Sequence, residues 1–268
     1  MSAIERLRRL GAHPRLVPAV ALALRAGQVR GSARFAAREL LRRARGAGSV
    51  YRLRRGGRFV IVRHGTGDVV TLGEIFHRPD YEPPPEVAAA LGTPARILDL
   101  GANVGMFGLW ALTRWPAATV RGYEPDAGNA AIHARAIAAN ALGRRWALVE
   151  AAAGAHEGTV RFASGQAALS HVVADGEGDT EVPLRDVLAE VAEADLVKLD
   201  VEGGEWAILG DPRFAAAPPR AVVLEYHPRG CPGADPRAEV LRLLGSAGLR
   251  THELWARDDG HGMVWGWR

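Results

Sequence analysis

The chain has 268 residues, of which 48% are hydrophobic, so it can bury the core of one domain plus an extension and is neither disordered nor fibrous. Its single cysteine, Cys231, excludes an intramolecular disulfide and a multi-cysteine zinc cluster, and fits the reducing cytoplasm. The longest apolar run near the N-terminus, at 16–24, has about half the length of a membrane span. We therefore expect a soluble cytoplasmic protein.

The charge is divided unevenly along the chain. Residues 1–63 contain sixteen arginines and two acids, whereas residues 64–268 contain 18 cations and 28 acids. A basic arm of this kind can contact nucleic acid or an anionic membrane surface, or it can fold onto its own acidic body. We favour the last interpretation, because arm and body have opposite charges and the arm has apolar residues at helical spacing. Stacking on bases has little support, since the arm lacks interleaved aromatic residues apart from Phe35 and Tyr51. Nucleic acid and membrane are therefore not expected partners, and the arm serves as a cap or as the surface of a homodimer.

Three helices are predicted in this arm. Ser2 and Glu5 have the spacing of a capping box, and apolar residues follow at helical spacing. The second predicted helix covers 16–28, and the third covers 33–45. These segments predict an Arg-rich helical cap or arm over residues 1–48.

Short strands separate the arm from the main domain. Residues 50–53 and 58–63 alternate around the glycine pair at 56–57, which predicts a hairpin. The three prolines at 83–85 form a stiff spacer. The predicted organisation is an arm at 1–48, short strands and a lead-in segment at 49–85, and a main domain at 86–268.

Strands and helices alternate from residue 95 onward, which is typical of an α/β domain with a parallel sheet and crossover helices. The last two strands flank a turn at 258–260 and should form an antiparallel hairpin at the sheet edge. The predicted strands are 97–100, 119–123, 146–151, 196–199, 221–226, 249–254 and 263–267, with a short additional one at 159–162. The predicted helices are 104–113, 127–141, 187–191, one from 206 and 238–245.

The strongest motif is the run Ile-Leu-Asp-Leu-Gly-Ala-Asn-Val-Gly at 97–105, where a strand leads through a glycine turn into a helix. Ligands bind beyond the carboxyl ends of parallel strands, and glycines let the backbone approach them. A dinucleotide fingerprint fails at Asn103 and Met106, where it requires glycine and then glycine or alanine. Asp99 instead suits a cation, such as the sulfonium and ammonium groups of S-adenosylmethionine. The alternative is an ordinary structural joint.

Glu124 ends the next predicted strand, 23 residues after Gly101. A carboxylate at this position can accept hydrogen bonds from both hydroxyls of a ribose. Many strand ends carry glutamate only for solvation, so the signal is weak alone. Together with the glycine turn it favours a cofactor that contains a nucleoside.

Four motifs in this order resemble the FkbM-type methyltransferase family, and the segment 63–81 is similar to the family's lead-in to the domain. The motifs are 99–105, 122–125, 197–205 and 224–227. The resemblance covers 95–227 and implies a Rossmann-like fold with a seven-stranded, mostly parallel sheet. It also implies methyl transfer from S-adenosylmethionine, usually to an oxygen of a small molecule, a sugar or a secondary metabolite. The first 45 residues carry no part of it.

The predicted cofactor-binding residues come from the glycine turn, the Glu124 strand end and this resemblance. Tyr81 is expected to close over the cofactor, with packing at the rim of the core as the alternative. The set is Tyr81, Asp99, Gly101, Ala102, Asn103, Gly105, Glu124, Pro125 and Ala153.

Four further polar residues, Asp200, Glu202, Glu225 and His227, follow or end two neighbouring predicted strands, and we predict them as catalytic. Bringing such groups together costs free energy unless they contact a cation, bind a proton or pair with one another. They can hold the substrate and the sulfonium, or His227, with a reference pKa of about 6.5, can act as general base. Asp200, Glu225 and His227 can instead bind a divalent metal ion, which we do not favour. In a purely structural interpretation, Glu202 and Glu225 pair with arginines or backbone amides, and Lys198 is a further candidate partner.

The expected reaction is direct in-line transfer of the methyl group to the hydroxyl of a small molecule. Two alternatives remain open. One is methylation of a nitrogen or a carboxylate, which needs less help from a base. The other is an Arg-rich nucleic-acid-binding protein in which the sheet is only a scaffold.

Overall fold

The computed structural model describes residues 16–41, 48–78, 80–163, 171–172 and 180–268. The chain forms two compact units, residues 1–81 and 82–268. The first predicted helix, which begins near Ser2, lies outside the described residues. No helix among the described residues is long and apolar enough to cross a membrane.

The first unit contains the two predicted helices and the predicted hairpin, together with one further helix. Its elements are α1 (Leu16–Ala26), α2 (Ser32–Leu40), β1 (Ser49–Arg52), β2 (Phe59–Val62) and α3 (Asp68–Phe76). The antiparallel pairing of β1 with β2 confirms the hairpin. The helix α3 was not predicted, because its β-branched residues at 69–71 weaken the helical signal. It starts at the buried Asp68, whose carboxylate lies 2.8 Å from the guanidinium of Arg63.

A small aromatic cluster forms the core of this unit. The ring centroid of Phe35 lies 5.0 Å from that of Tyr51 and 4.9 Å from that of His64. The hydroxyl of Tyr51 is 2.7 Å from Nε2 of His64. Both aromatic residues that we considered for base stacking are therefore buried in the core of their own unit.

The second unit is built on a seven-stranded sheet, which confirms the predicted fold class. The strands are β3 (Arg96–Leu100), β4 (Thr119–Tyr123), β5 (Trp146–Val149), β10 (Leu196–Leu199), β11 (Ala221–Tyr226), β12 (Arg250–Ala256) and β13 (Gly262–Trp267). The strand order is β12-β13-β11-β10-β3-β4-β5. The five strands from β11 to β5 are parallel, and their central members are mostly apolar and almost fully buried, as expected for a sheet covered on both faces.

The last two strands form the predicted antiparallel hairpin at the sheet edge. The second of them, β13, lies between β11 and β12 and is antiparallel to both. All six residues of β13 are buried, including Trp265 and Trp267. The outer strand β12 therefore joins the sheet through β13.

A second sheet of four strands was not predicted as such. Its order is β6-β9-β7-β8, with β6 (Ala152–Gly154), β7 (Gly158–Ala163), β8 (His171–Val172) and β9 (Thr180–Asp186). The short strand expected at 159–162 is part of β7. The residues of β6 were not predicted as a strand, and the third strand, predicted to end at residue 151, stops at Val149. The strand β9 was missed because it contains Pro183, and proline has no backbone N–H to donate to a neighbouring strand.

The helices of the second unit lie at the connections between the strands. The first of them begins at Pro85, where the fixed φ of proline suits the first helical turn, so the predicted spacer runs directly into a helix. The helices are α4 (Pro85–Leu91), α5 (Met106–Arg114), α6 (Ala127–Ala139), α7 (Leu188–Glu193), α8 (Glu205–Gly210), α9 (Pro212–Ala216) and α10 (Pro236–Ser246).

Candidate active site

The glycine turn after β3 is held tightly by the protein itself. The backbone N–H groups of Gly101 and Ala102 both donate to the carbonyl oxygen of Tyr123, at 3.1 and 2.8 Å. Gly101 has φ 78°, and a Cβ there would lie 1.8 Å from the carbonyl oxygen of Asp200. We expected the glycines to leave room for a ligand, but at Gly101 the crowding comes from the backbone that follows the neighbouring strand β10. The turn is therefore fixed against the end of β10.

The second glycine of the turn, Gly105, is also crowded by protein. It has φ 83°, and a Cβ there would lie 2.5 Å from the ring of His133 and 2.8 Å from that of Trp146. Between the two glycines, Asn103 has φ 49°, a left-handed conformation that asparagine tolerates better than most residues. Asn103 thus adopts the left-handed backbone conformation at the position where the dinucleotide fingerprint has glycine.

Glu124 links the glycine turn to the loop that precedes α6. One carboxylate oxygen accepts a hydrogen bond from the backbone N–H of Asn103 at 2.7 Å. The other accepts from the backbone N–H of Asp126 at 2.9 Å and from the side chain of Asn129 at 3.3 Å. The side chain is buried, and burial raises the pKa of Glu124 to about 7. Three hydrogen bonds leave one acceptor site on the carboxylate, at Oε2, so Glu124 can still accept a hydrogen bond from a ribose hydroxyl.

Asp99 does not reach the surface where we expected it to meet a cofactor. Its side chain is fully buried, and neither carboxylate oxygen has a hydrogen-bond partner in the described part of the chain. Nζ of Lys198 lies 3.7 Å from Oδ1 of Asp99. Burial raises the pKa of Asp99 to about 6, although the nearby Lys198 acts in the opposite direction. Asp99 therefore lies buried beside Lys198, and its contact with a cofactor stays a prediction.

Lys198 connects the glycine turn to the carboxylates that follow β10. Its ammonium group donates to the carbonyl oxygen of Gly101 at 2.6 Å and lies 3.1 Å from Oδ2 of Asp200. Burial lowers the pKa of Lys198, but Asp200 and Asp99 more than offset this, so the pKa is raised. The carboxylates that Lys198 approaches are thus those of Asp200 and Asp99.

Asp200, Glu202 and His227 converge where β10 and β11 end. Nε2 of His227 lies 3.4 Å from Glu202 Oε2 and 3.9 Å from Asp200 Oδ1. The imidazole is buried, whereas both carboxylates are partly exposed. We call these three residues the acceptor cluster. Glu225 is the penultimate residue of β11, half-buried and opposite Met263, and it is not among the three side chains whose ligand atoms lie within 4.8 Å of one another.

Glu205 orients His227, and sequence reasoning did not select it. Its Oε1 accepts hydrogen bonds from the backbone N–H of His227 at 2.7 Å and lies 3.0 Å from the ring nitrogen Nδ1. Its Oε2 accepts from the backbone N–H of Gly203 at 2.8 Å. Glu205 is fully buried in the first turn of α8. It belongs to the 197–205 motif, but nothing local in the sequence shows that its partner lies 22 residues away.

The carboxylates around His227 change its expected protonation. Burial lowers the pKa of the imidazole, but Glu205, Asp200 and Glu202 outweigh burial and raise the pKa to about 9. The reference value of about 6.5 used for the sequence prediction therefore does not apply to the free protein. Burial and the charge of Asp200 also raise the pKa of the Glu202 carboxyl. The cluster accordingly holds a proton at neutral pH.

The remaining predicted cofactor residues are not tested by this geometry. Pro125 is half-buried next to Glu124, and Ala153 is buried in β6. Tyr81 is buried in the first unit. Their contacts with a cofactor stay predictions.

The buried carboxyl of Glu124 leads to a prediction about pH. Its pKa is raised from 4.5 to about 7 by folding, so the protonated form is favoured in the folded state. The stability that this provides is complete below the unfolded pKa and is lost as the pH rises through about 7. Glu124→Gln removes the titration. We expect the melting temperature of the ligand-free protein to fall relative to that of Glu124→Gln between pH 5 and 8 in thermal scans. Parallel pH profiles would contradict the assignment.

Comparison with solved structures finds methyltransferases of low sequence identity. One is the precorrin-6y C5,15-methyltransferase from Geobacter metallireducens GS-15, with 12% identity, a TM-score of 0.41 and coverage of 68% of this chain and 88% of that chain. Another is the magnesium protoporphyrin IX methyltransferase from Synechocystis PCC 6803 with bound S-adenosylmethionine, with 16% identity, a TM-score of 0.42 and coverage of 68% and 74%. No curated protein matches the chain.

The family comparison covers the glycine turn, Glu124 and the acceptor cluster together. Residues 99–250 match the model of the family described as "Methyltransferase FkbM domain". This range is more than half of the chain and contains all four motifs named above. S-adenosylmethionine is accordingly the cofactor. The chain belongs to the FkbM methyltransferase family.

Proposed function

We propose that the protein transfers the methyl group of S-adenosylmethionine to a hydroxyl oxygen of a small molecule, such as a sugar or a secondary metabolite. The observation that carries this proposal is the close approach of the acceptor cluster to the glycine turn. A Cβ on Gly101 would touch the carbonyl oxygen of Asp200, and Lys198 bonds to both. Groups suited to an acceptor hydroxyl thus lie next to groups suited to the cofactor.

The charge of the site supports a cationic cofactor. Four carboxyl groups (Asp99, Asp200, Glu202 and Glu205) lie close to two cationic groups (Lys198 and His227). A sulfonium placed beside them reduces this excess of negative charge, which low-dielectric surroundings make costly. Loss of the methyl group removes the positive charge of the sulfur, so the same field favours the methylated donor over its product.

The chemistry then requires alignment and removal of one proton. The donor is already activated, so the protein mainly holds the acceptor oxygen, the methyl carbon and the sulfur in line. Such positioning can lower a barrier by roughly 7–11 kcal/mol. A hydroxyl must also lose its proton, and we assign this step to His227 in its neutral form, oriented by Glu205. A cationic cofactor beside the ring lowers the pKa of about 9 that the carboxylates give it in the free protein. Glu225 remains a candidate contact for the substrate, outside the cluster.

Cofactor binding tests the part assigned to Glu124. We expect S-adenosylmethionine and S-adenosylhomocysteine, but not NAD, to give heats of binding in calorimetry. Glu124→Ala should weaken binding of both sulfur ligands by about 1–3 kcal/mol, because a charge-assisted hydrogen bond to the ribose is lost. Glu193→Ala, which removes an exposed carboxylate paired with Arg96, is the control. Equal affinities of the two variants would contradict the assignment of Glu124 as the residue that binds the ribose.

Three further predictions belong to this proposal and rest on the sequence. The acceptor is a small molecule and not nucleic acid, the location is the cytoplasm, and residues 1–48 form a cap or the surface of a homodimer.

A further inference from the structure

We propose that Asp200, Glu202 and His227 bind a divalent transition-metal ion. One oxygen of each carboxylate and one ring nitrogen all lie within 4.8 Å of one another. Metal ions bind such atoms at about 2.0–2.2 Å, so two ligands on opposite sides of one ion are up to about 4.4 Å apart. Small movements of the side chains bring all three to one ion. The set contains Glu202 in place of Glu225, which is why the spacing in the sequence did not indicate it.

The orientation of His227 is the second argument. Its side chain is only 7% exposed, and Glu205 contacts Nδ1 at 3.0 Å. An ion that binds here displaces the proton of the imidazolium from Nε2, while the hydrogen on Nδ1 stays directed at Glu205, so the lone pair on Nε2 is directed at the two carboxylates. The distances of 3.4 and 3.9 Å from Nε2 to these carboxylates exceed the usual range of an N–H···O hydrogen bond. Histidines that bind a metal ion through one ring nitrogen commonly have a carboxylate at the other ring nitrogen, as Glu205 is at Nδ1 of His227.

The carboxylates have room for an ion and for a further ligand. Oδ2 of Asp200 contacts Lys198, which leaves Oδ1 facing His227. The side chain of Glu202 is 32% exposed. An ion with only three protein ligands keeps open positions on this exposed side. Resting on the proposed function, we infer that the acceptor hydroxyl occupies one of them, where the ion makes it more acidic.

The donor atoms indicate the kind of ion. One imidazole nitrogen and two carboxylate oxygens suit first-row transition ions better than Mg²⁺ or Ca²⁺, which prefer sets made of oxygen atoms alone. Mn²⁺ is the practical probe, because its electron paramagnetic resonance signal changes when it binds to a protein.

Binding of Mn²⁺ to the full, cofactor-free chain tests the site directly. Titration followed by electron paramagnetic resonance should show one Mn²⁺ per chain. Glu205→Gln should weaken binding by about 10–100-fold, as loss of the residue behind a ligand commonly does. Glu202→Gln and His227→Gln, which alter ligands, should weaken it at least as much. The control is His252→Gln, because His252 has its own carboxylate contact, 2.6 Å from Glu86, away from the cluster.

Two results would overturn the site. One is failure of the unaltered protein to bind Mn²⁺ at millimolar concentration, and the other is unchanged binding in both Glu202→Gln and His227→Gln. Glu202 is partly exposed, so its variant should fold, and melting temperature and S-adenosylmethionine binding verify this. Cofactor binding and methyl transfer are measured separately from Mn²⁺ binding. Failure of the metal site is therefore distinguishable from failure of the proposed function.

Discussion

Replacing His227 by alanine should lower turnover by about 10²–10⁴-fold and leave the affinity for S-adenosylmethionine nearly unchanged. The reason is the position of the ring in the acceptor cluster, 3.4 Å from Glu202 and held from behind by Glu205. Steady-state rates with a methylatable alcohol and calorimetry with the cofactor measure the two quantities separately. His252→Ala is the control.

The same variant distinguishes the rival acceptors. A nitrogen or carboxylate acceptor needs little proton removal, so near-normal turnover of His227→Ala between pH 6 and 9 would favour these acceptors over a hydroxyl. If an ion is required, a chelator should stop the reaction of the unaltered enzyme, and Asp200→Asn should be as damaging as His227→Ala. Full activity of both variants in the presence of chelator would leave positioning alone as the source of catalysis.

Gly101→Ala should abolish measurable cofactor binding and destabilise the second unit by roughly 2–6 kcal/mol. The new methyl group would lie 1.8 Å from the carbonyl oxygen of Asp200, a backbone atom that cannot rotate away. The residue would also have to adopt φ 78°. Left-handed strain and overpacking each cost about 1–3 kcal/mol. Displacement of the turn would separate Asn103 from Glu124.

A matched glycine provides the control for this prediction. Gly245 lies within α10, and a Cβ there meets no atom within 4 Å. Gly245→Ala should therefore preserve cofactor binding and slightly raise the melting temperature, because alanine favours a helix more than glycine does. If both variants behave alike, the close approach at Gly101 is not what fixes the turn.

The parallel sheet could be predicted from the sequence, because its strands are short apolar runs between turn residues. The predicted bounds of β4, β10 and β11 agree with the structure residue for residue. The second sheet was not predicted, because Pro183 weakens the sequence signal for the strand β9 and because β6 follows β5 almost directly. Alternation of side chains along one segment carries no information about which sheet that segment joins.

The candidate site was predictable only as far as it depends on strand ends. The positions of Asp200 and His227 follow from the parallel sheet, since the carboxyl ends of neighbouring strands meet at one edge. The burial of Asp99 and the contact between Glu205 and His227 depend on packing across long stretches of sequence. The shift in the pKa of His227 depends in turn on those contacts, so a reference value taken from a model peptide was misleading.

The position of β13 imposes an order of events on the growing polypeptide. During synthesis β12 emerges before β13, yet its partner in the sheet is β13 and not β11. Until residue 267 has left the ribosome, β12 cannot pair with β13. The edge of β11 is then open to pairing with other chains. Ribosome-bound chains stopped before Gly262 should therefore be protease-sensitive and prone to aggregate.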